Sequence, residues 1–423
     1  MIPMTRGEGN GNMPSMQSPF WSTVMSAILL CLPTGRALAG VTEADVPPLV
    51  IAHWMPQVPL ARFNHHEWSR DLPLIGPMQF RGDPVQQMRE AKAYGIDVFA
   101  VCSAEDLQWN SNMWRHSLKA ADQVEGFYVI PCLNNGLQDA ETPHGPTGIN
   151  RQAAIDWVKI SKGHRSALRV NDKLVINGFS WEKTSGKAVR TFREKIKEAT
   201  GEEVFLMIDV NGMWLNPVDG SLDLAKDYPE AAMRDLVGEI DMAYLFWGRK
   251  DPVVDKLLEQ CRDAEVAFGG QHFPGYWRTS NEIWVPHNHT GTHRQCLAYS
   301  LKHGAPMLNL TTWNDYLEHT HVQPSANWGD TRASIVKFYS DLLKRKPIEE
   351  SRFFVTSPCE ARLGGPFSVE ALSLQPGLKP CHVLVRLLDR SGIERARWEG
   401  PTSSGQEAVA LAEFTLDSYP EGR

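Results

Sequence analysis

Residues 83–104, DPVQQMREAKAYGIDVFAVCSA, carry the pattern that decides the fold class. Up to Gly95 the apolar side chains recur at three- and four-residue spacing and then stop at a glycine, which is how an amphipathic helix reads. The following IDVFAVCSA is apolar without alternation, so both of its faces are to be buried, as in a parallel sheet covered by helices. Working outward, the same unit recurs. Apolar runs stand at LVIAHWM (49–55), FYVIPCLNN (127–135), KLVINGF (173–179), VFLMIDVNG (204–212), IDMAYLFWG (240–248), VAFGGQHF (266–273) and PMLNLTTWND (306–315). Helical stretches such as NRQAAIDWVKISKGHRS, GKAVRTFREKIKEATG and DPVVDKLLEQCRDA separate them. Eight such units in roughly 300 residues match the count and size of a closed (β/α)8 TIM barrel. A doubly wound open sheet would carry a glycine-rich phosphate loop after its first strand, and none follows LVIAHWM.

The helical pattern ends at Arg345-Lys346-Pro347. Beyond it RFFVTS, FSVEALSL, HVLVRLLD and VALAEFTL are short strands between Pro/Gly turns, predicting a small C-terminal β-sandwich-like domain over 351–423. At the other end, Trp21 to Leu32 is an apolar stretch too short to span a bilayer, and Ala37-Leu38-Ala39 follows it. Residues 1–39 are therefore expected to be a signal peptide and 40–347 the barrel, with a mature chain starting at Gly40. The expected product is secreted or periplasmic, without a membrane anchor, and monomeric. A net charge of −7 gives no basic field for nucleic acid. Among seven cysteines none forms a CxxC pair or a zinc-finger spacing with histidine, so neither a structural metal nor a cofactor is expected. Cys359 and Cys381 are the pair nominated for a disulfide, while Cys102, Cys132, Cys261 and Cys296 read as buried thiols on separate elements. No Gly-x-Ser-x-Gly elbow is present, which sets serine esterase chemistry aside.

In a barrel of this kind, chemistry belongs where strands end and βα-loops begin. The residues there are polar and aromatic: His53 and Trp54, Asn135, Asn177 and Trp181, Asp209, Trp247, His272 and Trp277, then Trp313, Asn314, Tyr316 and His321. Carboxylates, amides and indoles facing one cleft suit a sugar chain, so a polysaccharide or oligosaccharide is the expected substrate. Glycosidic cleavage needs one carboxyl to protonate the leaving oxygen and another to activate water or attack the anomeric carbon. Asp315 and Glu318, three apart just past the eighth strand, are the candidate catalytic pair. Trp54, Trp181, Trp247 and Trp277 are the candidate stacking platforms, core packing being the alternative for each of the fourteen tryptophans. Asp97 and Asp241 begin strands, at the face associated with stability. His287, His289 and His293 resemble a metal site in composition only.

Several of these stretches together resemble glycoside hydrolase family 71, the α-1,3-glucanases. Val50-Ile51-Ala52-His53-Trp54-Met55 is similar to that family's opening strand, and Glu90 to Ala100 (EAKAYGIDVFA) to its helix-and-strand signature. KLVINGFS (173–180) sits where the family has a strand ending in Phe-Ser. Thr312-Trp313-Asn314-Asp315-Tyr316 with Glu318 resembles its Trp-Asn-Asp-Tyr-Gly-Glu run, and the resemblance implies Asp315 and Glu318 as an inverting pair. Leu317 departs from the family's glycine, and His319-Thr320-His321 from its Ser-His-Tyr. The stretch from Glu318 to Pro324 is nearer the Glu-x-Thr-x-Ile-x-Pro pattern of glycoside hydrolase family 99, the endo-α-mannosidases and mannanases. Two further readings compete: a non-catalytic glycan-binding barrel, and an accessory protein of polysaccharide biosynthesis. Retention of both acids speaks against the first and the export signal against the second.

Overall fold

The computed structural model describes residues 46–56, 71, 83–102, 107–134, 151–181, 184–210, 230–246, 252–278, 283–285, 287–348, 351–358, 364–375, 381–389, 391–403 and 407–415. The expected signal peptide and its cleavage point before Gly40 lie outside them. The strands begin with β1 (Leu49–Trp54), β2 (Val98–Cys102), β3 (Tyr128–Asn134), the two-residue β4 (Arg169–Val170), β5 (Lys173–Phe179), β6 (Val204–Asp209), β7 (Met242–Leu245) and β8 (Ala267–Gln271). A hairpin of β9 (Tyr276–Arg278) and β10 (Ile283–Val285) precedes β11 (Met307–Leu310). Hydrogen-bonded neighbours run β11-β1-β2-β3-β5-β6-β7-β8, all parallel, with β4 antiparallel on β5. Each of the eight apolar runs is one barrel strand. The helices α1 (Pro84–Ala93), α2 (Leu107–Ala121), α3 (Arg151–Ser161), α4 (Gly186–Thr200), α5 (Glu230–Val237), α6 (Pro252–Asp263), α7 (Gly291–Lys302) and α8 (Thr331–Leu343) alternate with them.

Local chemistry sets these boundaries. Asp83 accepts a hydrogen bond from Val85 N–H and Pro84 supplies a preset φ, starting α1. Ser185 caps α4 through Ala188 N–H, and Gly201, at φ 71°, ends it. Strand alternation then divides two cores. Val50, Ala52 and Trp54 face the helices, whereas Ile51 joins Val98, Ala100, Ile130, Val175, Met207, Met242 and Met307 inside the barrel. The interior is packed solid, as the fold requires. At the amino ends of the strands Asp97 accepts Val50 N–H and Asp241 accepts Leu206 N–H, so both acids serve the sheet.

β8 breaks the alternation. Ala243 pairs with Phe268 but Leu245 pairs with Gln271, so an extra residue is accommodated around Gly270, which sits at φ 80°. A Cβ there would lie 3.1 Å from Met307 O and 3.2 Å from Ser300 Oγ. The irregularity shifts the strand's facing by one residue and turns His272 toward β11, where its Nδ1 accepts Thr311 N–H at 3.0 Å.

The C-terminal strands are β12 (Arg352–Thr356), β13 (Pro366–Leu374), β14 (His382–Leu388), β15 (Glu394–Pro401) and β16 (Glu407–Thr415). β12, β13 and β16 form one antiparallel sheet, and β14 and β15 a hairpin. Val369, Ala412 and Phe414 pack against Val385, Leu387, Ala396 and Trp398, so the two layers make a small sandwich. Leu372 and Leu374 of β13 belong instead to the barrel's outer core. Arg294 of α7 reinforces that junction by donating to Glu370 Oε2 (2.9 Å), to Thr290 Oγ1 (2.9 Å) and to Glu407. The sandwich is thus fastened to the barrel by buried contacts rather than tethered to it. Cys381 is a free, exposed thiol, which corrects the expected pairing with Cys359; the latter lies outside the described residues.

Candidate active site at the carboxyl ends of the strands

After β11 the chain closes on itself. Thr312 N–H donates to Thr320 O, Val322 N–H to Thr312 O and Gln323 N–H to Trp313 O, each at 2.9 Å. Trp313 N–H reaches back to His53 O at 2.7 Å, tying the loop to β1. Asn314 holds Met55 from both sides, its Oδ1 accepting Met55 N–H (2.8 Å) and its Nδ2 donating to Met55 O (2.9 Å). Tyr316 stacks on His321 with centroids 4.0 Å apart, and its hydroxyl meets Gln323 Oε1. Trp313, Asn314, Tyr316 and His321 are buried, whereas Asp315 and Glu318 remain partly exposed. Within this motif the aromatic and amide residues are the anchors, and the two acids are what the anchors present.

The acids are individually oriented. Asp315 N–H donates to Thr312 Oγ1 (2.9 Å), and Asp315 Oδ1 accepts Glu318 N–H (3.0 Å). The Tyr276 hydroxyl lies 3.4 Å from Glu318 Oε1, and Trp277 N–H donates to Glu318 O at 3.2 Å. Trp277 is partly exposed, with its ring 4.9 Å from that of His319. So β9 delivers a phenol to the Glu318 carboxyl and a backbone N–H to its main-chain carbonyl. Arg332 of α8 supports the loop from beneath, donating to His319 O (3.1 Å) and His321 O (2.7 Å).

Two buried networks flank the loop. His272 Nε2 lies 2.6 Å from His293 Nδ1, and His293 Nε2 lies 3.2 Å from Arg332 O. Because His272 Nδ1 already accepts Thr311 N–H, both rings are neutral and each carries its proton on Nε2. Burial, with the Arg332 charge adding to it, draws the His272 pKa down to about 3. On the other side His321 Nε2 donates to Asp71 Oδ2 (2.9 Å), which also accepts Ser325 Oγ–H (2.6 Å), while Asp71 Oδ1 accepts Asn327 N–H. Burial draws His321 down to about 4, the Asp71 bond opposing it, so this is a neutral imidazole on a carboxylate.

Inside the barrel mouth the Tyr244 hydroxyl donates to Asn177 Oδ1 (2.9 Å) and lies 3.3 Å from His53 Nε2. His53 Nδ1 faces two sulfurs, Cys102 Sγ at 3.6 Å and Cys132 Sγ at 3.7 Å. These three are ligand-type atoms lying within 4.8 Å of one another. A hydrogen bond from Cys132, with His53 assisting, lowers the Cys102 thiol pKa against burial, while burial and the Cys102 neighbour push Cys132 up. Phe246 meets His53 edge-on at 4.8 Å and Phe179 at 4.5 Å, one step further along their strands. Asp209 ties the ends of β5 and β7 together, accepting Ser180 N–H and Phe246 N–H.

Of the residues expected at the site, the structure brings together Asp315, Glu318 and Trp277, held by Trp313, Asn314, Tyr316 and His321. Trp54 and Trp181 are corrected. Trp54 is fully buried, stacked on Phe99 and donating to Gln87, and Trp181 is fully buried against Phe192 and donates to Leu133 O. Neither offers a face to a sugar. His53, Asn177, Asp209 and His272 are likewise buried, with hydrogen-bond partners among the protein's own groups. Asn135 and Trp247 lie outside the described residues. Tyr244, Gln87, Arg332 and Asp71 were not foreseen. A tyrosine inside an otherwise apolar strand was a usable signal for Tyr244; nothing around Asp71 marked it.

No family model matches the chain, and no curated protein is similar to it in sequence. Among solved structures, the family 99 endo-α-mannosidase of Bacteroides thetaiotaomicron superposes with a TM-score of 0.54 at 11% identity, covering 71% of this chain and 98% of that one. The same enzyme in complex with bis-tris-propane gives a TM-score of 0.55 over the same shares. At that identity the likeness establishes the shared barrel fold.

Proposed function

We propose that this protein is a glycoside hydrolase that cleaves an α-linked glycan with Asp315 and Glu318. One observation carries the proposal: the loop after β11 buries its aromatic and amide residues and leaves these two acids partly exposed beside Tyr276 and Trp277. The bond from Glu318 N–H fixes the orientation of the Asp315 carboxylate, to which the role of activating water is assigned. Glu318, with the longer side chain, is the acid that protonates the leaving oxygen. An α-1,3-glucan follows from the resemblance of Trp313-Asn314-Asp315-Tyr316 to the family 71 run, with inversion at the anomeric carbon. The fold shared with an endo-α-mannosidase and the stretch from Glu318 to Pro324 favour α-mannan as the second reading. The N-terminal apolar stretch supports export of the enzyme.

The test is hydrolysis of α-1,3-glucan and α-mannan, followed by anomer-resolved NMR of the product. Asp315→Asn and Glu318→Gln should each lose about 10²–10⁴ in rate while still binding glycan. A substrate with an activated leaving group should partly rescue Glu318→Gln alone. Turnover close to that of the unmodified protein in both variants would overturn the assignment.

A further inference from the structure

We propose that His53, Cys102 and Cys132 form a binding site for a thiophilic closed-shell metal ion, Zn2+ or a cation of its kind, inside the barrel mouth. Three strands contribute. Cys102 and Cys132 are direct partners in the register of β2 and β3, and His53 projects inward from the adjacent β1. The His53 Nδ1 distances to the two sulfurs are 3.6 and 3.7 Å. Zinc bonds of about 2.3 Å to sulfur and about 2.0 Å to nitrogen, at a tetrahedral angle, place those atoms about 3.5 Å apart. The spacing is therefore what a shared metal requires. Asn134 Oδ1 lies 3.6 Å from Cys132 Sγ.

The surroundings prepare the imidazole. The Tyr244 hydroxyl, which donates to Asn177 Oδ1, and Asn309 Nδ2 lie 3.3 and 3.2 Å from His53 Nε2. With the Asn309 amide turned so that its otherwise unpartnered Oδ1 faces that nitrogen, Nε2 carries the proton and the Nδ1 lone pair faces the sulfurs. Asn309 Oδ1 and Asn177 Nδ2 are both buried without partners among the described residues. All three candidate ligands are less than a tenth exposed. On binding, two S–H protons leave for solvent, two thiolate–metal bonds form, and the dication is neutralised in place, which is how a buried charge is tolerated. Because His53 O also accepts Trp313 N–H, the ion would pin the strand that anchors the acid-bearing loop. The alternative is two buried thiols making weak S–H···N bonds.

With Phe179 and Phe246 packed over the site, the ion is best offered during folding. The full chain is unfolded under a non-coordinating reductant and refolded with Co2+ or Zn2+, then freed of excess metal. The expected result is about one metal per chain, with intense thiolate-to-cobalt absorption in the near ultraviolet that Cys102→Ser and Cys132→Ser abolish. Refolding without stoichiometric metal, or metal retained unchanged in both variants, overturns the proposal, as does recovery of Cys102 and Cys132 as a disulfide. Should the variants fail to fold, zinc-edge X-ray absorption of the unmodified protein decides. Two sulfurs at about 2.3 Å support the site, and a shell without sulfur refutes it.

Discussion

Mild acid should loosen this fold well before its carboxylates titrate, because three histidines are buried as neutral rings. His272, His293 and His321 are at most 1% exposed. Burial holds His272 at about 3 and His321 at about 4, and it holds His293 well below the ordinary range with His272 adding to the effect. In the unfolded chain each would titrate near its ordinary value of about 6.5. Above that value neither state is protonated and stability is complete. Below it the unfolded chain binds protons that the folded chain refuses, so stability falls as pH falls, until the folded value is reached. One pH unit is worth about 1.4 kcal/mol per group, so at about pH 5 His272 and His321 each cost about 2 kcal/mol. Together they remove about 4 kcal/mol from a whole-protein stability of about 5–15 kcal/mol, and His293 adds to the loss in the same direction. Asp71 does not blur this window: burial raises its pKa, but the bonds from His321, Ser325 and Asn327 outweigh it, so its contribution is lost only at lower pH. The measurement is urea unfolding at intervals between about pH 7.5 and about pH 5, with the slope read as protons taken up on unfolding. A stability that is flat or rises as the pH drops across that range would refute the tautomers and burial assigned to these rings.

Four other outcomes are expected. Arg294→Met should destabilise the protein by about 3–5 kcal/mol, since Glu370 and Glu407 would be left as unpaired buried carboxylates at the sandwich–barrel junction; equilibrium denaturation reads this directly. A chain cut after Lys346 should fail to unfold cooperatively for the same reason, as Leu372 and Leu374 would leave the barrel core. Gly270→Ala should cost about 1–2 kcal/mol or more, because φ 80° and the nearby Met307 carbonyl both oppose a Cβ, and a thermal melt should report it. Trp277→Ala should weaken glycan binding by about 1–3 kcal/mol in calorimetry with little loss of stability, whereas Trp54→Ala should cost about 3–5 kcal/mol of stability instead.

The barrel was legible because its signal is local. A run such as VFLMID (204–209), buried on both faces, shows no alternation, and this holds whatever it packs against. The turn that holds Asp315 and Glu318 was legible for the same reason: the two are three residues apart, and a bond between them closes it. Which polar residue at a strand end reaches a ligand was not local. Trp54 and His53 are neighbours in the chain, yet the pleat sends one to the helices and the other into the barrel.

Other features depend on closure of the sheet. Asp71 meets His321 across 250 positions, and Arg332 finds two loop carbonyls through the packing of α8. His53, Cys102 and Cys132 converge because the neighbouring strands β1, β2 and β3 point alternate residues to the same inner face of the sheet. By itself the sequence determined the repeating unit, the point where it gives way to antiparallel strands, and the motif bearing the acids, since each rests on periodicity or short spacing. The tertiary structure alone decided which side chains share the barrel mouth, because burial and register are properties of strands laid side by side.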